Sequence, residues 1–259
     1  MFVDSHCHLN FPELREDLPA IRLAMSEAQV HAALCICTTM EEFEAVHGLA
    51  QGPDPFWASV GVHPDNEGVH EPTEDELVER AGLPRVVAIG ETGLDYFRLG
   101  ERSVADMAWQ RERFAVHIRA ARRTGLPLVI HTRASSADTL AVLRAEGQGA
   151  VRGVFHCFTE SMDVARAALD LDFDISFSGI LTFKSARELQ DVARFVPLER
   201  CLIETDSPYL APVPFRGKTN TPALVPWVAK QLAALKGRPV EDVADATTRN
   251  FERLFRIET

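Results

Sequence analysis

Eight short apolar runs rich in β-branched residues recur along this 259-residue chain, each followed by a helical or loop segment. No other feature constrains the fold as much. The runs lie near residues 2–6, 32–38, 56–62, 86–91, 127–131, 152–156, 172–178 and 200–206. Helical patterns fall between them, among them Leu18 to Ala28, Asp106 to Arg123, Ala134 to Arg144, Asp163 to Leu171 and Ser185 to Phe195. Pro222 to Leu235 and Val240 to Phe255 close the series. Strands alternating with helices imply a parallel sheet, because parallel neighbours need long crossovers. Eight such units suit a closed α/β barrel of TIM type, (β/α)8, as a single domain over residues 1–259. No Gly-x-Gly-x-x-Gly follows the first run, which weakens the alternative of an open dinucleotide-binding sheet. A domain of this size buries enough surface to fold without disulfides or an obligate protein partner.

The ends of the runs carry the chemistry. His6 and His8 close the first run at i and i+2, which puts both rings on one face of an extended strand. Glu91, His131, His156 and Asp206 each close another run. In an eight-fold barrel the catalytic groups project from the carboxyl ends of several strands. Six metal-type ligands at five strand ends therefore point to a metal site rather than to packing. The proline-rich segment from Pro208 to Pro222 directly follows Asp206 and is expected as a long loop on the same face.

The net charge of −11 excludes a whole-surface attraction to nucleic acid. A phosphate-bearing substrate would need a local positive centre, which bound divalent ions supply. The five cysteines lack Cys-x-x-Cys spacing and read as reduced thiols, with Cys7 and Cys157 expected to face away from the site. The first residues show no signal-peptide pattern and no run of 18 apolar residues occurs, so a cytoplasmic location without membrane contact is expected.

With these residues in place, the chain resembles the TatD family of metal-dependent deoxyribonucleases, a branch of the amidohydrolase-like barrels. The matching stretches are Asp4-Ser5-His6-Cys7-His8-Leu9, Gly61-Val62-His63-Pro64 and Gly90-Glu91-Thr92-Gly93-Leu94-Asp95-Tyr96. They continue through Gln110-Arg111-Glu112, His131-Thr132-Arg133, His156-Cys157-Phe158 and Glu204-Thr205-Asp206-Ser207-Pro208-Tyr209-Leu210. The resemblance implies a TIM-like barrel, two divalent ions and phosphodiester hydrolysis. It also implies that His6, His8, Glu91, His131, His156 and Asp206 hold the metals.

Two cations about 3.5–4 Å apart can share a carboxylate and stabilise both attacking and leaving oxygens. Glu91 is the expected bridge, with His6, His8 and Asp206 around one ion and His131 and His156 around the other. Mixed nitrogen and oxygen ligands favour Zn²⁺ or Mn²⁺ over Mg²⁺. Asp206 is also a base candidate. Glu204 shares its inward face and reads either as an acceptor orienting a ligand histidine or as a carboxylate paired with a lysine or arginine. His63 faces the same mouth, to contact substrate or polarise the nucleophile, or else to cap or pack. Asp95 reads as an acidic turn residue, and His31, His47, His70 and His117 as solvated or packed. Arg133, Lys184, Arg216 and Lys218, with Tyr96, Phe183, Tyr209 and Phe215, are candidates for a rim that grips phosphates and stacks bases. The expected substrate is DNA, as single strands or ends. The alternative is a small ester, amide or lactone hydrolysed at the same ions.

Overall fold

In the computed structural model, which describes residues 1–259, the eight runs become eight parallel strands in sequential order. They are β1 (Phe2–Cys7), β2 (Val30–Cys35), β3 (Phe56–Val60), β4 (Val86–Asp95), β5 (Leu128–Arg133), β6 (Gly153–Phe155), β7 (Phe173–Phe177) and β8 (Cys201–Ile203). The helices are α1 (Pro12–Arg15), α2 (Leu18–Glu27), α3 (Phe43–Ala50), α4 (Glu74–Ala81) and α5 (Ala108–Thr124). They continue as α6 (Ser136–Gly147), α7 (Met162–Asp170), α8 (Arg187–Phe195), α9 (Val225–Lys236) and α10 (Val240–Phe255). This is the single-domain TIM barrel that the alternation predicts. No helix is long and apolar enough to cross a membrane.

Two apolar layers hold the barrel. The larger lies between strands and helices and includes Phe43, Phe114, Phe155, Phe173 and Phe177, all buried. The smaller fills the barrel interior, where Val3, Ala32, Trp57, Val87, Val129 and Leu202 meet Phe251, Leu254 and Phe255 of α10. That last helix plugs the amino-terminal end, and each fully buried aromatic there contributes about 1.5–3 kcal/mol. The opposite end is left for polar residues.

Closure differs from an ordinary ladder. β8 meets β1 through one bridge, Cys7 to Ser207, with backbone bonds from His8 to Ser207 (2.9 Å) and from Asp206 to His6 (3.0 Å). A buried side chain completes the seam: Asp4 Oδ1 accepts the amides of Thr205 (2.9 Å) and His6 (3.2 Å), and Thr205 Oγ1 donates to Asp4 Oδ2 at 2.5 Å.

Irregular register positions the site. Between Asp4 and Cys7 the β1–β2 pairing shifts, and between Ile89 and Thr92 the β4–β5 pairing does too. Such bulges re-aim side chains and gather beside active sites. Ser5 points into the barrel, its hydroxyl 3.1 Å from Ser176 Oγ. After the shift His6 and His8 point into the mouth, while Cys7 joins the outer apolar layer. β4 runs on to Asp95, beyond the expected end near residue 91, because pairing resumes from Thr92–Ile130 to Asp95–Arg133. Gly93 permits this close passage: at φ +126° it lies where a Cβ would sit 2.0 Å from the carbonyl oxygen of His131.

Candidate metal centre

The side chains expected at the strand ends converge at the carboxyl-terminal mouth. Glu91 stands at the centre with its two oxygens turned to different groups. Oε2 lies 3.3 Å from His6 Nε2 and 3.9 Å from His8 Nε2. Oε1 lies 2.8 Å from His156 Nε2, 3.3 Å from His131 Nδ1 and 3.4 Å from His63 Nε2. Asp206 approaches the first group, with Oδ1 at 3.4 Å from His8 Nε2 and 3.6 Å from His6 Nε2. Its backbone is left-handed, φ 55°, a conformation Asp tolerates better than most residues, and this ends the β8 extension.

Outer partners fix which nitrogen faces the centre. Glu204, fully buried, accepts from the Cys157 amide (2.7 Å) and faces His156 Nδ1 at 3.2 Å. In the neutral ring Nδ1 thus carries the proton, leaving the Nε2 lone pair for a cation at the centre. Asp95 Oδ2 does the same for His131, 3.0 Å from Nε2, leaving Nδ1 toward Glu91. A carboxylate behind a ligand imidazole is the usual way of fixing ring orientation at a metal. His63 differs. Its Nδ1 accepts the Asp65 amide at 3.0 Å, so its proton sits on Nε2, which then faces Glu91 as a donor.

The electrostatics follow from this crowding. Burial opposes ionisation of Glu91, but the imidazoles of His156, His63 and His6 hold it well below the usual carboxylate range. Asp206 is held down likewise, burial being outweighed by His8, His6 and His156. Burial pushes His6 down, while His8, His131 and His156 rise against burial because of their carboxylate neighbours. His63 is pushed down to about 3 by burial, so it is neutral.

These residues fit a cation. The Nε2 atoms of His6 and His8 face each other at 3.2 Å, and His156 Nε2 is buried without a hydrogen bond although Glu91 is adjacent. Buried polar atoms left without partners are costly unless something satisfies them. Three sets of donor atoms lie close enough to share an ion: His6, His8 and Glu91; His6, His156 and Asp206; and His63, Glu91 and His131, the last only if His63 takes its other tautomer. The donors are imidazole nitrogen and carboxylate oxygen only, the set suited to Zn²⁺ or Mn²⁺.

A family model described as TatD related DNase matches residues 3–256. The chain belongs to the TatD family. It is 46% identical over 259 residues to the uncharacterized metal-dependent hydrolase YcfH of Escherichia coli K12, covering 99% of this chain and 96% of that protein. It is 38% identical over 260 residues to the uncharacterized metal-dependent hydrolase YabD of Bacillus subtilis 168, covering 99% and 100%. The solved structure of YjjV, a TatD homolog from Escherichia coli K12, superposes with a TM-score of 0.89 at 28% identity, covering 99% and 98%. This TatD-family chain is a metal-dependent hydrolase.

Several expectations for the TatD-family site change in detail. Asp95 is no plain turn residue: it is buried at the end of β4 and holds His131. The signal was available, since Glu91, Gly93 and Asp95 share a strand face. Glu204 takes the orienting role and pairs with no lysine or arginine. Cys7 faces away as expected, but Cys157 borders the site. It lies past the end of β6 at φ 41°, where alternation lapses, and burial together with the Asp206 and Glu204 charges holds its thiol well above the usual value. His117 is packed and His70 is exposed against Glu76, as expected.

The rim is built differently from its sequence outline. Lys184, Arg133, Arg216 and Lys218 are exposed. Arg216 already covers Phe183 at 4.1 Å, Lys218 lies 5.9 Å from the Phe215 ring, and Tyr96 is buried with its hydroxyl on Asp138. Those three aromatics are not free platforms. The open one is Tyr209, 51% exposed; Phe97 is 59% exposed, but Arg133 lies over its ring at 3.7 Å, so that pair presents an exposed guanidinium stacked on an aromatic. Phe11 joins Tyr209 (6.3 Å) to the ring of His8, on which it stacks at 4.6 Å.

Proposed function

We propose that this chain hydrolyses phosphodiester bonds of DNA, on single strands or at ends, with two divalent ions held by His6, His8, Glu91, His131, His156 and Asp206. The observation that carries this reading is Glu91, which offers one oxygen to each ligand group while the protonated Nε2 of His63 stands beside it. Bound divalent ions would supply Lewis-acid stabilisation of charge and a nucleophilic water. The chain's own residues supply the rest. Asp206 takes a proton as a base at the edge of the first group, and Glu204 and Asp95 keep His156 and His131 in the tautomer a ligand needs. Neutral His63 donates a hydrogen bond from Nε2 to a phosphate oxygen without giving up the proton. Tyr209 with Phe11 on the β8–β1 side and the Arg133 guanidinium, backed by Phe97, on the β4–β5 side flank the mouth, where unpaired bases can stack.

Hydrolysis of a small ester, amide or lactone is the second reading. It is favoured by the acidic surface and by the rim cations already engaged with aromatic rings. The test is turnover by Mn²⁺- or Zn²⁺-loaded protein on single-stranded and duplex oligonucleotides beside a small phosphodiester and a lactone, with Glu91→Gln as the control. DNA cleavage lost at least about a hundredfold in the variant supports the nuclease reading. Lactone hydrolysis without DNA cleavage under any metal replaces it.

A further inference from the structure

Helix α5 carries a polar stripe on its buried face that packing does not require. Gln110, Arg113 and His117, spaced i, i+3 and i+7 on one face, are 1%, 3% and 0% exposed. Each spends its polar atoms on the backbone of the site. Gln110 clasps Asp95 from both sides: Oε1 accepts the Asp95 amide at 2.9 Å, and Nε2 donates to the Asp95 carbonyl at 3.1 Å. Arg113 donates to the His63 carbonyl at 2.8 Å, with its guanidinium held by Glu71 and by the ring of Trp109. His117 Nε2 accepts the Val62 amide at 3.0 Å while Nδ1 donates to the Arg113 carbonyl at 2.8 Å. Burial holds the His117 ring down to about 4, so it is neutral and keeps one donor and one acceptor.

We infer that Gln110, Arg113 and His117 are positioning residues through which α5 sets the His63–His131 half of the metal centre. Gln110 acts through Asp95 on the ring of His131, whereas Arg113 fixes the carbonyl of His63 and His117 the amide of Val62, the residue before it. The two arms have separate consequences. Loss of the Gln110 clasp lets Asp95 and His131 reorient and weakens an ion. Loss of the His117 bond displaces a donor that is not a ligand, so ion binding survives and turnover suffers. The inference rests on the proposed ligand set, but not on the identity of the substrate.

Gln110→Met, His117→Leu and His117→Gln are compared with the full-length wild type by calorimetric titration of metal-free protein with Mn²⁺, alongside thermal unfolding without metal. Gln110→Met is expected to weaken a binding step about 10–100-fold, as outer-shell changes do. His117→Leu is expected to bind Mn²⁺ like wild type yet lose at least about tenfold in kcat on a small phosphodiester. His117→Gln, which retains one acceptor and one donor, restores kcat. Wild-type Mn²⁺ affinity in Gln110→Met overturns the inference. So does a uniform loss of binding in all three variants that tracks their melting temperatures. A wild type that binds Mn²⁺ but cleaves no diester removes the nuclease reading alone, since the Gln110 arm is read from binding.

Discussion

The backbone amide of Asp65 donates to Nδ1 of His63 across 3.0 Å, and this one bond decides the role of the ring. A neutral imidazole that accepts at Nδ1 must carry its hydrogen on Nε2. His63 Nε2 therefore reaches Glu91, at 3.4 Å, as a donor with no lone pair for a cation. His131 and His156 are arranged the opposite way, with protons drawn outward to Asp95 and Glu204.

His63→Ala should accordingly leave the metal content unchanged and lower turnover by about 10²–10³, the range for loss of one positioned hydrogen-bond donor. His131→Ala should lose both. Elemental analysis of dialysed protein, paired with kcat on a small phosphodiester, separates the two. Loss of metal from His63→Ala would make that residue a ligand and reverse the tautomer assignment.

Proton and metal compete for the same nitrogens. His8, His131 and His156 are raised above their ordinary value of 6.5 by neighbouring carboxylates, against the opposing effect of burial. In ion-free protein each contributes stability that is fully present below that value and lost as pH rises through the higher folded value. His6 and His63, pushed down by burial, oppose this on the acid side. A cation takes the place of the protons, so its affinity rises as they leave. The rise in melting temperature on adding Mn²⁺ should grow steadily between about pH 6 and pH 8.5. An increment independent of pH would mean that those imidazoles are not ligands.

Much of this was legible in the sequence because the ligands end apolar, β-branched runs, and run ends are strand ends in a parallel barrel. His6, His8, Glu91, His131, His156 and Asp206 each close such a run. Helix α4 is absent from the helical patterns read above, although Thr73 and Glu76, which form a capping box at its start, are a signal that marks it. What could not be read depends on register and on loop geometry. The shifts in β1 and β4 that re-aim His6 and Glu91 leave no mark on hydrophobic periodicity. The tautomer of His63 depends on a turn three residues past β3, and the α5 stripe looks like an ordinary solvated face until its partners are known. The rim aromatics elude the sequence for a similar reason. Sequence proximity to the mouth cannot say that Arg216 covers Phe183 or that Tyr96 turns inward to Asp138.

The β8–β1 seam yields a stability prediction. Burial pushes the Asp4 carboxyl up to about 8, above its ordinary value of 3.8, against the lowering effect of its bonds from Thr205 and His6. A raised folded value contributes stability present below the ordinary value and lost as pH rises through the folded one. Asp4→Asn keeps an oxygen for the two amides and a donor for Thr205 Oγ1, but it does not titrate. It should flatten the decline in melting temperature of metal-free protein between about pH 5 and pH 8. Asp4→Ala strands two buried amides and a hydroxyl and should cost about 2–4 kcal/mol in denaturant unfolding. Equal stability of the two variants would show that the seam does not depend on Asp4.

Substrate choice follows from charge and from the shape of the mouth. With a net charge of −11, Arg133, Lys184, Arg216 and Lys218 can neutralise only a few phosphates. Counterion release on single strands should then give a salt slope of about −2 to −3, at roughly −0.7 per phosphate. Lys218→Ala should flatten that slope by under about one unit for every sequence alike. Recognition must instead rest on the centre and on stacking at Tyr209, which is open, and on the Arg133–Phe97 pair, whose guanidinium plane a base can cover. An intact duplex hides its base faces, so single strands and frayed ends should be preferred. Phe97→Ala and Tyr209→Ala should each lower kcat/KM on a single-stranded oligonucleotide by about 5–160-fold, corresponding to about 1–3 kcal/mol per stacked base. Neither change should alter the rate on a small phosphodiester that is too short to reach the rim. If both variants cleave the oligonucleotide like wild type, stacking at the mouth is refuted. If the small substrate is hydrolysed at every metal and salt concentration while DNA is not, the small-molecule reading takes its place.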